Sequence, residues 1–294
     1  MKRRVFSKTL SICSSLYSMK TLDQLNRYTQ DLENSDRMPV LFLGHGSPMN
    51  AIEENEFVTG FRDVAKTLPT PRAILCVSAH WYTKGTKVTA MKTPRTIHDF
   101  GGFPRSLYEV QYPAPGNPEL AAETKELLSP EMVELDQTWG LDHGAWSVIK
   151  HLYPEADVPV IQLSIDYTKP AAWHYDLARR LESLRNKGIL IIGSGNIIHN
   201  LRLVDFANFD RDNYGYDWAI EAHEMINNWL LNGDFQSLLK DRPEQKALQL
   251  AIPTPDHYLP LIYTLGLKNK EEEIGLFNDK LLAGSLSMTS LKIE

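Results

Sequence analysis

Nine histidines are spread unevenly over the 294 residues. His45 follows the apolar run PVLFLG, His80 follows RAILCVSA, and His199 lies just past GILIIGSGN. His98 (IHDFGGFP), His143 (LDHGAW) and His257 (TPDHYLP) sit in segments flanked by Gly or Pro. Neutral imidazole is a ligand for zinc, iron, copper and nickel, and its pKa suits it to moving protons near neutral pH. One such histidine is usually a satisfied hydrogen-bonding residue; several meeting at one place would be a metal centre. His151, His174 and His223 fall in helical segments and read as structural, His151 as a solvated side chain near a helix C-terminus.

Other chemistries lack their signatures. There is no CxxC pair, HExxH, phosphate loop or GxGxxG. GHGSP is not the GxSxG nucleophile elbow, since Ser47 precedes a proline rather than a helix.

The histidines need elements to hold them. Strands are expected at 39–44, 72–81, 87–91, 157–165, 188–196 and 284–292. Most are continuous apolar runs, which suits a sheet covered on both faces. Helices are expected at 118–128, 144–153, 170–188, 216–233 and 257–266, with Pro170 near a first turn and Gly188 and Gly233 as stops. Residues 92–118 hold five prolines and three glycines and read as an ordered loop. The fold class is therefore α/β, a single domain with a mostly parallel or mixed sheet and helices on both faces. In such sheets ligands bind at the carboxyl ends of the strands, which is where His45, His80 and His199 fall.

Bulk properties narrow the partners. The net charge of −6 gives no field for nucleic acid or an anionic membrane. No run of 18 apolar residues occurs, so no membrane-spanning helix is expected. The start, MKRRVFSKTLSICSSLYSMK, only faintly resembles a targeting segment. Residues 1–37 read as an N-terminal extension, partly helical or flexible, and 38–294 as the catalytic domain. Cys13 and Cys76 are poor disulfide partners, which fits a reducing, cytoplasmic setting.

GHGSPMN, SAHW, TIHDFGGFP, YPAPG, DHGAW, QLSID, GSGNIIHNL, TPDHYLPL and GSLSM, in this order, closely resemble the class III extradiol ring-cleavage dioxygenases, in their 4,5-DOPA branch. The resemblance implies one α/β domain that binds one divalent metal through His45, His80 and His257. In the protocatechuate-cleaving relatives the third position is glutamate, so a three-histidine site departs from the usual two-His, one-carboxylate triad. It further implies His199 as the acid/base, near enough to ligate the metal when substrate is absent, and His143 as a second catalytic histidine. His98, Phe100 and Ser47 are expected to contact substrate. Fe²⁺ is expected for catalysis and Zn²⁺ in isolated protein, which binds such sites more tightly. The implied substrates are O2 and a catechol such as DOPA, and the implied product is of the muconate-semialdehyde type. Two alternatives stay open: a zinc hydrolase using the same three histidines, and a non-catalytic binder of metal or small molecules. Arg95 and Arg105 are candidates for a substrate carboxylate. Trp81, Trp139 and Trp146 are expected in the core. The sequence does not give the oligomeric state.

Overall fold

A computed structural model describes residues 37–240 and 244–294. Cys13 and nearly all of the N-terminal extension lie outside the described residues. The strands are β1 (Val40–Gly44), β2 (Ala73–Thr83), β3 (Thr86–Thr89), β4 (Val133–Asp136), β5 (Val160–Asp166), β6 (Ile189–Gly195), β7 (Ile274–Phe277), β8 (Leu281–Leu282), β9 (Leu286–Ser287) and β10 (Ser290–Ile293). The helices are α1 (Glu56–Ala65), α2 (Arg105–Tyr108), α3 (Pro118–Leu127), α4 (His143–Leu152), α5 (Ala171–Arg179), α6 (Glu182–Arg185), α7 (Asp217–Asn232), α8 (Phe235–Leu239), α9 (Lys246–Ala251) and α10 (Leu259–Gly266).

Eight strands form one mixed sheet in the order β4-β3-β5-β2-β6-β1-β10-β7, and β8 pairs with β9 apart from it. The central strands β5, β2, β6 and β1 are parallel. β3 runs antiparallel to β5, and β10 antiparallel to β1.

The continuous apolar runs are explained by burial on both sides. Val40 and Phe42 of β1 join one apolar core, while Leu41 and Leu43 join the other. In β2, Ala73, Leu75 and Val77 face the first core, and Ile74 and Cys76 the second. Helices α3, α5, α7 and α10 supply the first core; α1 and α4 supply the second. Each fully buried Leu, Ile or Phe contributes about 1.5–3 kcal/mol, which makes the central strands a rigid base for what projects from their ends.

Several boundaries differ from those expected. The helix read over 170–188 breaks at Arg180 and Leu181, where i→i−3 hydrogen bonds to Leu177 and Ala178 tighten the turn. Arg180 there caps the carbonyls of Leu128 and Ser129 just beyond α3. The strand read over 284–292 is two pieces, β9 and β10. Two edge strands, β4 and β7, and helix α1 were not legible. Among the described residues no helix is long and apolar enough to cross a membrane.

Candidate metal centre

β2, β6 and β1 are neighbours and parallel, so their carboxyl ends share one edge of the sheet. His45 leaves β1 there, and its backbone N–H donates to Gly195 O at 3.0 Å, zipping β1 to β6 one residue further. Two glycines make this exit possible. A Cβ on Gly44 would strike the Met288 backbone, and Gly46 takes a left-handed φ of 61° with Met288 and Asn50 against it. β2 carries His80 near its end, as the strand expected over 72–81 does, and runs on to Thr83. Its register with β5 shifts between Val77 and Tyr82, and such an irregularity re-aims side chains. His257 arrives from the turn before α10, where its carbonyl accepts the Asn196 N–H at 3.0 Å. His143 is the first residue of α4, capped by the Asp142 carboxylate, which accepts Ala145 N–H at 3.1 Å.

His45, His80 and His257 each place one ligating nitrogen within 4.8 Å of the others. The Nε2 atoms of His45 and His80 stand 3.3 Å apart. The surrounding hydrogen bonds set which nitrogen carries the proton. Ser194 Oγ gives its only proton to Gly144 O at 2.5 Å, so it must accept from His45 Nδ1 at 3.0 Å. His45 Nε2 is therefore a bare lone pair. Asp256 accepts from His257 Nδ1, leaving His257 Nε2 bare as well. His80 turns Nδ1 toward Asp99 Oδ2 at 3.4 Å and Nε2 toward His45. The two Nε2 atoms face each other at 3.3 Å, a place for one shared proton or one cation. That separation also suits two nitrogens each about 2.0–2.1 Å from one ion. The donor set thus fits a divalent metal.

Electrostatics point the same way. Burial, followed by His80, His257, His143 and His199, pushes the His45 imidazole well below the usual histidine value. Burial and His143 and His257 do the same to His80, against the pull of Asp99. Metal ligation requires such neutral rings. Asp256 is pushed up by burial, yet its bond to His257 holds it well below the usual carboxylate range.

His199 does not join the trio. Its ring lies face to face with His257, 3.5 Å between centroids and 11° from parallel. Burial, then His257, lowers its pKa to about 3. His143 packs beside His80 at 3.8 Å between centroids. Its Nδ1 is 3.0 Å from Asp99 Oδ1 but poorly aligned, so that buried atom has no hydrogen bond.

A cavity of about 1350 Å³ opens over these rings. His45, His80, His143, His199 and His257 line it, with Ser47, Asp99, Phe100 and Phe103. His98 is not on its wall: the ring packs behind Phe100, and Nε2–H donates to Val110 O at 2.9 Å. Arg95 and Arg105 also lie elsewhere, on Trp139 O and Glu109. The cations on the wall are Arg211, over the Tyr214 ring, and Lys280, held by Glu56 and Asp212. Trp81 and Trp139 stack on each other, and Trp146 is fully buried. His151 is buried, not solvated as expected, and donates to Asn50 O. The functional polar groups missed from sequence are Asp99, Asp256 and Ser194. Asp99 and Asp256 each adjoin a histidine that the motifs single out, which was the available signal.

Comparison with known proteins places the chain in a family. Residues 39–279 match the family described as the catalytic LigB subunit of aromatic ring-opening dioxygenase. The chain is 48% identical over 266 residues to the 4,5-DOPA dioxygenase extradiol of Escherichia coli K12, covering 88% of this chain and 96% of that protein. It is 35% identical over 258 residues to the 4,5-DOPA dioxygenase extradiol of Beta vulgaris, covering 85% and 94%. The crystal structure of an uncharacterized Escherichia coli K12 protein superposes with a TM-score of 0.73 at 43% identity, over 88% of this chain and all of that one. With the matched segment spanning most of the chain and the strand-edge histidines in place, the chain belongs to the family of the catalytic LigB subunit of aromatic ring-opening dioxygenases.

Proposed function

We propose that residues 38–294 form an extradiol dioxygenase domain that opens the ring of a catechol with O2, using one divalent metal held by Nε2 of His45, His80 and His257. The observation that carries this reading is the trio itself: three buried or half-buried imidazoles within 4.8 Å, with Nδ1 of each turned to an oxygen. Fe²⁺ at this place would bind catecholate and O2 together and pass electron density between them.

The chain's own groups do the rest. His199 stands on the cavity wall against His257 and accepts a catechol proton. Burial and His257 keep it neutral at physiological pH, and it gains basicity once the catecholate and metal change its surroundings. His143 hydrogen-bonds a catechol oxygen from the first turn of α4. Phe100 offers an apolar face to the ring, and Ser47 lies at the cavity edge with its hydroxyl accepting Met49 N–H. The curated relatives act on DOPA by name, and a DOPA-like catechol is the substrate we assign here. Fe²⁺ is the catalytic ion, and Zn²⁺ occupies the site in protein purified without precautions.

Loading the metal-free chain tests the ligand set. Wild-type protein should take up one Fe²⁺ or Zn²⁺, and His45→Ala, His80→Ala and His257→Ala should take up none. Full occupancy in any of the three would remove that residue from the site.

A further inference from the structure

We propose that Asp99 is a positioning residue that locks a metal ligand and the substrate-facing histidine to each other by dividing one carboxylate between His80 and His143. Its Oδ2 stands 3.4 Å from His80 Nδ1, and its Oδ1 stands 3.0 Å from His143 Nδ1. Oδ1 also accepts the His143 backbone N–H at 2.9 Å, so Asp99 docks the first residue of α4 as well. The two rings lie 3.8 Å apart and tilted by 48°, each with Nδ1 toward the same carboxylate.

The consequence follows from imidazole chemistry. A carboxylate facing Nδ1 keeps the proton there and leaves Nε2 as the lone pair. For His80 that is the nitrogen facing His45 Nε2 at 3.3 Å. His45 and His257 have their own acceptors, Ser194 and Asp256; His80 shares its acceptor with His143. Asp99 reaches into the site from the loop after β3, 19 and 44 positions away from the residues it orients. Movement of His143 as substrate binds is therefore transmitted to a metal ligand through one side chain. The buried, unbonded His143 Nδ1 supplies the freedom: a small ring rotation aligns it with Oδ1, 3.0 Å away.

His80, Asp99 and His143 also lie close enough to hold an ion among themselves. Two imidazole Nδ1 atoms facing one carboxylate, at 3.4 and 3.0 Å, account for the cluster without one, and metal stoichiometry separates the two cases. The inference rests on the function proposed above, so the experiment includes a control for that reading.

Asp99→Asn and Asp99→Glu are compared with wild type and His45→Ala. Zn²⁺ affinity and stoichiometry are read against a chromophoric chelator, the ligand field from the visible spectrum of the Co²⁺-loaded chain, and kcat and KM for DOPA from the iron-loaded chain. Wild type should bind one ion. Asp99→Asn should bind one ion about 10–100-fold more weakly, with an altered Co²⁺ spectrum and a loss concentrated in kcat rather than KM. Asp99→Glu, which keeps the carboxylate, should recover part of the affinity. Wild-type affinity, spectrum and kcat in Asp99→Asn, beside a metal-free His45→Ala, would overturn this inference alone. Two ions in wild type and one in Asp99→Asn would also overturn it, making Asp99 a ligand. Undiminished Zn²⁺ binding by His45→Ala would overturn the metal-site reading together with this inference.

Discussion

The Ser194 hydroxyl stands 3.0 Å from His45 Nδ1 and spends its own proton on Gly144 O, so a residue 149 positions away sets the tautomer of the first metal ligand. Ser194 is fully buried at the end of β6, where water cannot replace it. Ser194→Ala should leave His45 Nδ1 without its acceptor, at about 1–3 kcal/mol for the unpaired group. Zn²⁺ affinity should fall about tenfold or more. Competition titration checks this, and unchanged affinity would mean the hydroxyl does not orient the ring.

Gly195 has no room for a side chain. A Cβ there would collide with the His257 carbonyl, and the adjacent Asn196 N–H is bonded to that same carbonyl. Gly195→Ala should therefore push the His257 turn away from β6. Overpacking of this kind costs about 1–3 kcal/mol, and here it should also weaken metal binding. Thermal unfolding with and without Zn²⁺ measures both; a variant with normal Zn²⁺ stabilisation would show that the turn is not held by this contact.

How much of this was legible without the structure depends on what each residue acts through. Local signals marked six histidines, His45, His80 and His199 at strand ends and His98, His143 and His257 beside Gly or Pro; the motif resemblance picked His45, His80 and His257 from among them. The sheet was legible because strands buried on both faces leave unbroken runs such as VLFLG and AILCV. Asp99, Ser194 and Asp256 act on rings brought near by folding, and only Asp256 neighbours its partner in sequence. β4 and β7 are four-residue edge strands that are only partly buried, too short for a period to show. Helix α1 carries Gly60 at its centre, a poor helix former, because the Asn278 side chain needs that space to reach Phe57 O.

Three rings are held neutral by burial and by one another, and this makes stability pH-dependent. His45, His80 and His199 have folded pKa values below the usual 6.5, that of His199 at about 3. Below pH 6.5 the unfolded chain takes up protons that the folded one refuses. Stability is thus complete above that pH and is lost as pH falls, by at most about 1.4 kcal/mol per pH unit for each ring. Urea unfolding of the metal-free protein at about pH 7.5 and about pH 5 should show the drop. Equal midpoints would mean that the rings titrate normally when folded.

His199 stacks on His257 without joining the trio, which separates its role from metal retention. His199→Ala should keep one metal per chain and lose about 10²–10⁴-fold in kcat, the usual worth of a positioned acid or base. Metal analysis and steady-state turnover of the same preparation check this. Normal turnover, or loss of the metal, would contradict the assignment.

The most direct test follows the oxygen. Chain loaded with Fe²⁺ in the absence of air is mixed with DOPA and then with ¹⁸O2, and the product is weighed by mass spectrometry. The account predicts a ring-opened product carrying both labelled atoms, formed by wild type and not by His45→Ala. An intact catechol, or a product without label, from fully iron-loaded wild-type protein would contradict it.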